Sequence, residues 1–71
     1  MSDHVYSISE IVGSSTESVD DAFRKAVRSM AATKRNVEWF VTEEIRGHVV
    51  DGEVAHFQVT VKVGFRLDTP Q

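Results

Sequence analysis

DGEVAHFQVTVKVGFRL, residues 51 to 67, decides the fold. It opens on an Asp-Gly pair, the strongest short-range hairpin signal, and then alternates. Ala55, Phe57, Val59, Val61, Val63, Phe65 and Leu67 share one parity; His56, Gln58, Thr60, Lys62, Gly64 and Arg66 share the other. Successive strand side chains point to opposite faces, so this segment is a strand with one apolar and one polar face. The turn needs a strand before it, and VEWFVTEEIRGHVV, residues 37 to 50, supplies one.

The apolar face needs a cover, and the segment before the hairpin provides it. Val19, Ala22, Phe23, Ala26, Val27, Met30 and Ala31 recur at three- and four-residue steps and form one apolar stripe. Asp20, Arg24, Lys25 and Arg28 fall outside it, which is the pattern of an amphipathic helix. Ser18 with Asp21 three positions on resembles a capping box with Asp in place of Glu, and an acidic first turn suits the helix dipole. Lys34 and Arg35 place positive charge near the C-terminal end, and Asn36 is a stop. Ahead of the helix, HVYSISEIVG, residues 4 to 13, reads as a strand. Tyr6, Ile8 and Val12 lie on one parity and Val5 and Ile11 on the other, which predicts an irregularity near Glu10. GSSTES, residues 13 to 18, reads as a loop. The fold class is therefore α+β, a single domain over residues 1–71 in βαββ order, with one helix across a three-stranded antiparallel sheet.

The strand over residues 37 to 50 does not alternate cleanly. Val37, Trp39, Val41 and Ile45 share a parity, with Phe40, Thr42, Glu44 and Arg46 on the other, so both faces carry apolar bulk. One helix covers one sheet face. If Phe40 joins the helix side, Trp39, the only tryptophan, projects from the uncovered side with Gln58. An aromatic there needs another subunit or a flat ligand against it; an ordinary core or subunit contact is the other reading of the same residue.

Length and composition sharpen this. At 71 residues a single core rarely supplies more than ~3–5 kcal/mol. There are no cysteines, and His4, His48 and His56 match no metal-ligand spacing, so self-association is expected to supply the missing stability. A net charge of −3 with dispersed basic residues argues against nucleic-acid binding. No apolar run has the length of a membrane span, and MSDHVYSISE has no signal-peptide pattern, so a cytoplasmic location is expected. No nucleophile–base–orienter set, metal cluster or Gly-rich phosphate loop is visible, so no enzyme is expected. From Asp68 onward the sequence carries no periodic signal.

EIVGSSTESVDDAFRKAV, the TKRNVEWF junction, EEIRG and the closing HFQVTVKVGFRL, in this order and spacing, give the chain a further reading. Together they resemble the dodecin family, small flavin-binding proteins that assemble as hollow homododecamers, over essentially the whole length. The resemblance implies flavins (FMN, riboflavin or FAD) bound in pairs at twofold contacts between subunits, their rings stacked on Trp39. It implies that Gln58 hydrogen-bonds the polar ring edge, and that Arg46 and Arg66 lie near the flavin and contact its ribityl-phosphate tail. It further implies a coenzyme A contact drawn from Tyr6, Thr33, Lys34 and Arg35.

These residue types suit the roles: an indole offers a π-face, an amide both donor and acceptor, a guanidinium a fork for phosphate. Each also has a plain reading. Gln58 and Arg66 fit a solvated strand face, Arg46 could pair with Glu44 or Asp51, and Lys34–Arg35 fit helix-end charges. Phe57 stands where, in the family it resembles, close bacterial relatives often have tyrosine. The implied function is flavin storage, buffering and photoprotection; the alternative is an oligomer serving a structural or protein-interaction role without flavin.

Overall fold

The computed structural model describes residues 3–68. The order is β1 (Tyr6–Ser15), α1 (Val19–Thr33), β2 (Val37–Val50) and β3 (Glu53–Arg66). The expected βαββ arrangement is present, with the three strands in one antiparallel sheet in the spatial order β1-β3-β2. The most regular strand of the sequence, β3, takes the centre, and the hairpin strand β2 takes an edge.

The alternation of β3 sets the core. Val59, Val61 and Val63 are fully buried and Phe65 nearly so, against Ala22, Ala26 and Met30 of α1. Each such valine contributes roughly 1.5–3 kcal/mol by leaving water. Val19, Phe23, Ile11 and Val37 pack around this centre, while Ala31, expected in the stripe, is exposed. Asp51 and Gly52 join β2 to β3 with φ of 52° and 78°, both positive as a two-residue hairpin turn requires.

β1 runs two residues beyond its expected end and pairs with β3 without a break from Tyr6 to Ser15, so there is no irregularity at Glu10. Ser7, Ser9, Ile11, Gly13 and Ser15 turn toward the helix, and Tyr6, Ile8 and Val12 turn away. The small residues misread as a loop are where α1 comes closest. A Cβ on Gly13 would strike the Ala22 carbonyl oxygen and come within 2.8 Å of the Ala26 Cβ.

Ser15, nearly fully buried, organises the turn into the helix. Its hydroxyl donates to Asp21 Oδ2 (2.6 Å) and accepts from the backbone N–H of Glu17 (2.9 Å) and Ser18 (3.3 Å). Ser18 is the N-cap and accepts from the Asp21 N–H at 3.0 Å. Only this half of the expected capping box forms, because the Asp21 carboxylate turns to Ser15 and to Lys25, 3.1 Å away. The helix ends at Thr33, so Lys34 and Arg35 lie beyond its last turn. Asn36 reverses the chain at φ 61° and ties it to β3: its carbonyl accepts from the Arg66 N–H (3.0 Å) and its amide donates to the Arg66 carbonyl (3.3 Å) and to Asp68 (2.8 Å). Asp68 is thus anchored, and the rest of the uninformative C-terminal stretch lies outside the described residues.

Two outcomes are expected. Gly13→Ala should overpack the β1–α1 contact and lower stability by about 1–3 kcal/mol in urea unfolding. The Ser15 hydroxyl, and after it the Lys25 ammonium, hold the Asp21 carboxyl below the usual carboxylate range. That contribution is complete above the unfolded value near ~4 and is lost as pH falls through the lowered folded value. Ser15→Ala should therefore cost stability at neutral pH and flatten the loss seen below about pH 4, measured by unfolding across a pH series.

Candidate functional site

The register of β2 on β3 decides what shares a face. Directly paired residues of an antiparallel sheet point to the same side. Phe40 pairs with Val63 and turns to the helix, its ring 5.4 Å from that of Phe23. Trp39 pairs with Gly64 and lies on the uncovered face. So far this is the arrangement the sequence implies.

Strict parity then fails, because the register shifts between Val37 and Trp39 and again between Thr42 and Glu44. A bulge inserts one residue and reverses the side on which the following residues point. Val37, opposite Phe65, and Ile45, opposite Val59, therefore belong to the helix side, although they share the parity of Trp39. Glu44, opposite Thr60, and Arg46, opposite Gln58, move to the uncovered face. The second bulge is what puts Arg46 and Trp39 on one side of the sheet.

The uncovered face holds two stations. At the first, the Trp39 indole lies so closely across Gly64 that a Cβ there would fall on its ring carbons. Tyr6 flanks it at 6.3 Å between ring centroids, and Arg66 pairs across the strands with Tyr6. The Arg66 guanidinium is 3.4 Å from the Glu38 carboxylate. Desolvation, then the Glu38 charge and its interaction with the hydroxyl, raise the Tyr6 pKa above its ordinary value, with Arg66 opposing. Trp39 remains 38% exposed, and Tyr6, Ile8, Val12 and Val41 extend an exposed apolar surface around it. At the second station Gln58 sits between Ser14 and Arg46 on its neighbouring strands. Among the described residues Arg46 forms no ion pair with Glu44 or Asp51. Gln58 is six positions from Gly64 along β3, roughly 20 Å at ~3.3 Å per residue. One chain does not bring Trp39 and Gln58 to the same small ring.

The other expected residues are dispersed. Tyr6 lies on the uncovered face, while Lys34 caps the Phe65 ring from the helix side, its Nζ 5.4 Å from the centroid. Thr33 donates to the Met30 carbonyl (3.3 Å), and Arg35 pairs with Asp68 (3.3 Å). Within a single chain these four do not form one site. Phe57 pairs with Gly47 and Ser15 and faces the helix side, away from Gln58. A groove of about 540 Å³ beside the helix is lined by Phe23, Val27 and Phe40, on the sheet side opposite Trp39.

Sequence reasoning passed over Glu38 and Gly64 at the site. A glycine inside an otherwise regular strand marks a close approach, and Gly64 opposite an aromatic was the available signal. Glu38 between Val37 and Trp39 keeps a regular alternation, so the first bulge left no signal in the pattern at that point. Among the described residues no three His, Cys, Asp or Glu side chains converge to hold a metal, and no helix is long and apolar enough to cross a membrane.

Comparison with known proteins places this geometry. The dodecin family model matches residues 5–68. A dodecin of Thermus thermophilus is 39% identical over 64 residues, 90% of this chain and 93% of that protein. The dodecin structure from Streptomyces davaonensis superposes with a TM-score of 0.90 at 48% identity, covering 96% of this chain and 100% of that one. That of Streptomyces coelicolor superposes with a TM-score of 0.91 at 46% identity, covering 99% and 100%. The Thermus protein has also been solved with a tryptophan replaced by phenylalanine and with either of two arginines replaced by alanine.

Because the indole occupies the space above Gly64, Gly64→Val should lift Trp39 off the sheet. The expected result is a changed near-UV dichroism of tryptophan and easier acrylamide quenching of its emission, with the far-UV spectrum retained.

Proposed function

The chain belongs to the dodecin family of small flavin-binding proteins, and from that premise we propose that it stores and buffers FMN or a related flavin and quenches its photochemistry. The flavins stack in pairs on Trp39 at twofold contacts between copies, within a homododecamer. The observation that carries this reading is Trp39 laid flat over Gly64 on a sheet face that the helix leaves bare. Such a broad, rigid π-face suits a planar, electron-poor ring.

The separation of the two stations supports a shared site. With Trp39 and Gln58 too far apart for one ring, a flavin stacked on the Trp39 of one chain would take its edge hydrogen bonds from Gln58 of another. Arg46, beside Gln58 and without a carboxylate partner among the described residues, and Arg66, beside Trp39, are the cations for the ribityl-phosphate tail. The tryptophan and arginines replaced in the Thermus variants fall at the same intervals along the chain as Trp39, Arg46 and Arg66. Stacking between indoles restricts substrate access to the ring and favours electron-transfer quenching, which favours storage over turnover. Coenzyme A on Tyr6, Thr33, Lys34 and Arg35 would likewise need more than one chain, because Tyr6 and Lys34 lie on opposite sides of the sheet.

The second reading, a structural or protein-interaction oligomer without flavin, draws on the exposed apolar residues of the hairpin end. Ile45, Val49, Val50 and Val54 are each at least half exposed and call for cover whatever Trp39 does.

Titration of flavin-stripped protein with FMN and riboflavin separates the two. Storage is expected to give mutual quenching of flavin and tryptophan emission, saturating near one flavin per chain. Trp39→Ala should then weaken binding roughly ten- to hundredfold, the scale of a lost aromatic stack, with the assembly unchanged in size-exclusion chromatography. No change in either emission, together with loss of assembly in the variant, would establish the structural reading instead.

A further inference from the structure

The bulge between Val37 and Trp39 leaves Glu38 with no paired residue on β3. Freed from the ladder, its carboxylate reaches across the uncovered face to the Arg66 guanidinium, Oε2 to Nη1 at 3.4 Å. Both side chains are about one-third exposed, so the pair sits at the rim of the Trp39 station rather than in the core. Tyr6, the cross-strand neighbour of Arg66, contributes its ring to the flank of Trp39 and its hydroxyl to the surroundings of Glu38. The Arg66 cation, two residues along β3 from the Gly64 that Trp39 covers, is thus partly neutralised by a carboxylate of its own chain.

We infer that Glu38 is a specificity-determining residue of this station, setting how strongly it prefers a phosphorylated ligand tail over an uncharged one. The inference rests on the flavin reading above, in which Arg66 meets the tail. A phosphate monoester carries about −1.5 to −2 charge near neutral pH. To pair with Arg66 it must displace Glu38 or share the guanidinium with it, and either way it meets a like charge at close range. An uncharged ribityl tail meets no such opposition. The carboxylate therefore moderates the preference for FMN over riboflavin, so that the station holds both ligands and not the phosphorylated one alone.

The test is the ratio of FMN to riboflavin affinity, measured by fluorescence titration of the assembled protein and of Glu38→Gln. Gln keeps the size and an acceptor oxygen but removes the charge. The ratio should rise roughly fivefold, the scale of one partly exposed charge pair, and the added preference should fade with rising salt. In an Arg66→Gln background the same substitution should leave the ratio nearly unchanged. A ratio that stays level or falls in Glu38→Gln overturns the inference: Glu38 then only positions Arg66 or is inert. An equal rise with and without Arg66 also overturns it, since the effect is then general charge. If the unaltered protein binds neither flavin, the flavin reading itself fails; if it binds both and only the ratio test fails, that reading survives.

Discussion

A single fifteen-residue helix lies against a three-stranded sheet, and it covers only one face. Everything else about the chain follows from that shortage. The covered side is made from the most regular strand, with Val59, Val61 and Val63 closed off by Ala22, Ala26 and Met30. Small residues at Gly13 and Ser15 let the helix settle close to β1. The opposite side and the end of the hairpin keep large apolar residues in water. A chain of this size has no reserve of core with which to offset such exposure. The face that holds Trp39 is therefore both the deficit of the isolated chain and the surface of the proposed ligand site.

Bulges shape the candidate site on this face. Without the shift after Thr42, Arg46 would point with Phe40 toward the helix side and Ile45 would stand beside Trp39. Without the shift before Trp39, Glu38 would be locked into the ladder. The first shift turns Trp39, and the second turns Arg46, onto the uncovered face. Loss of alternation in an otherwise well-formed strand is here the trace of its bulges.

Much of this could be read before any coordinates. The 51–67 alternation, the Asp51–Gly52 turn and the helical stripe specify the βαββ layer, and Trp39 stands out by being large and on the wrong side. What resisted reading has a common cause. Parity assumes an unbroken ladder, so it assigned Ile45 and Arg46 to the wrong faces. Composition associates Gly and Ser with loops, so it ended the first strand at Gly13, although those residues are small because a helix crosses them. Hydrophobic pattern is blind to which strand takes the centre, so it does not reveal that Tyr6 flanks Trp39. That proximity depends on β1 joining β3, a pairing set by the core face and not by neighbouring sequence.

That pairing carries a consequence for how the chain is made. Tyr6 lies opposite Arg66, so the earliest strand completes the sheet only against the last. As the polypeptide leaves the ribosome, β1 and α1 emerge without the central strand that holds them together, and local contacts alone sustain them. Closure over nearly the whole chain brings a loop-entropy cost that the hairpin does not meet. Folding is therefore deferred until β3 has been released. The bare face is formed in that same final step, so whatever covers it meets a finished surface only once β3 is in place.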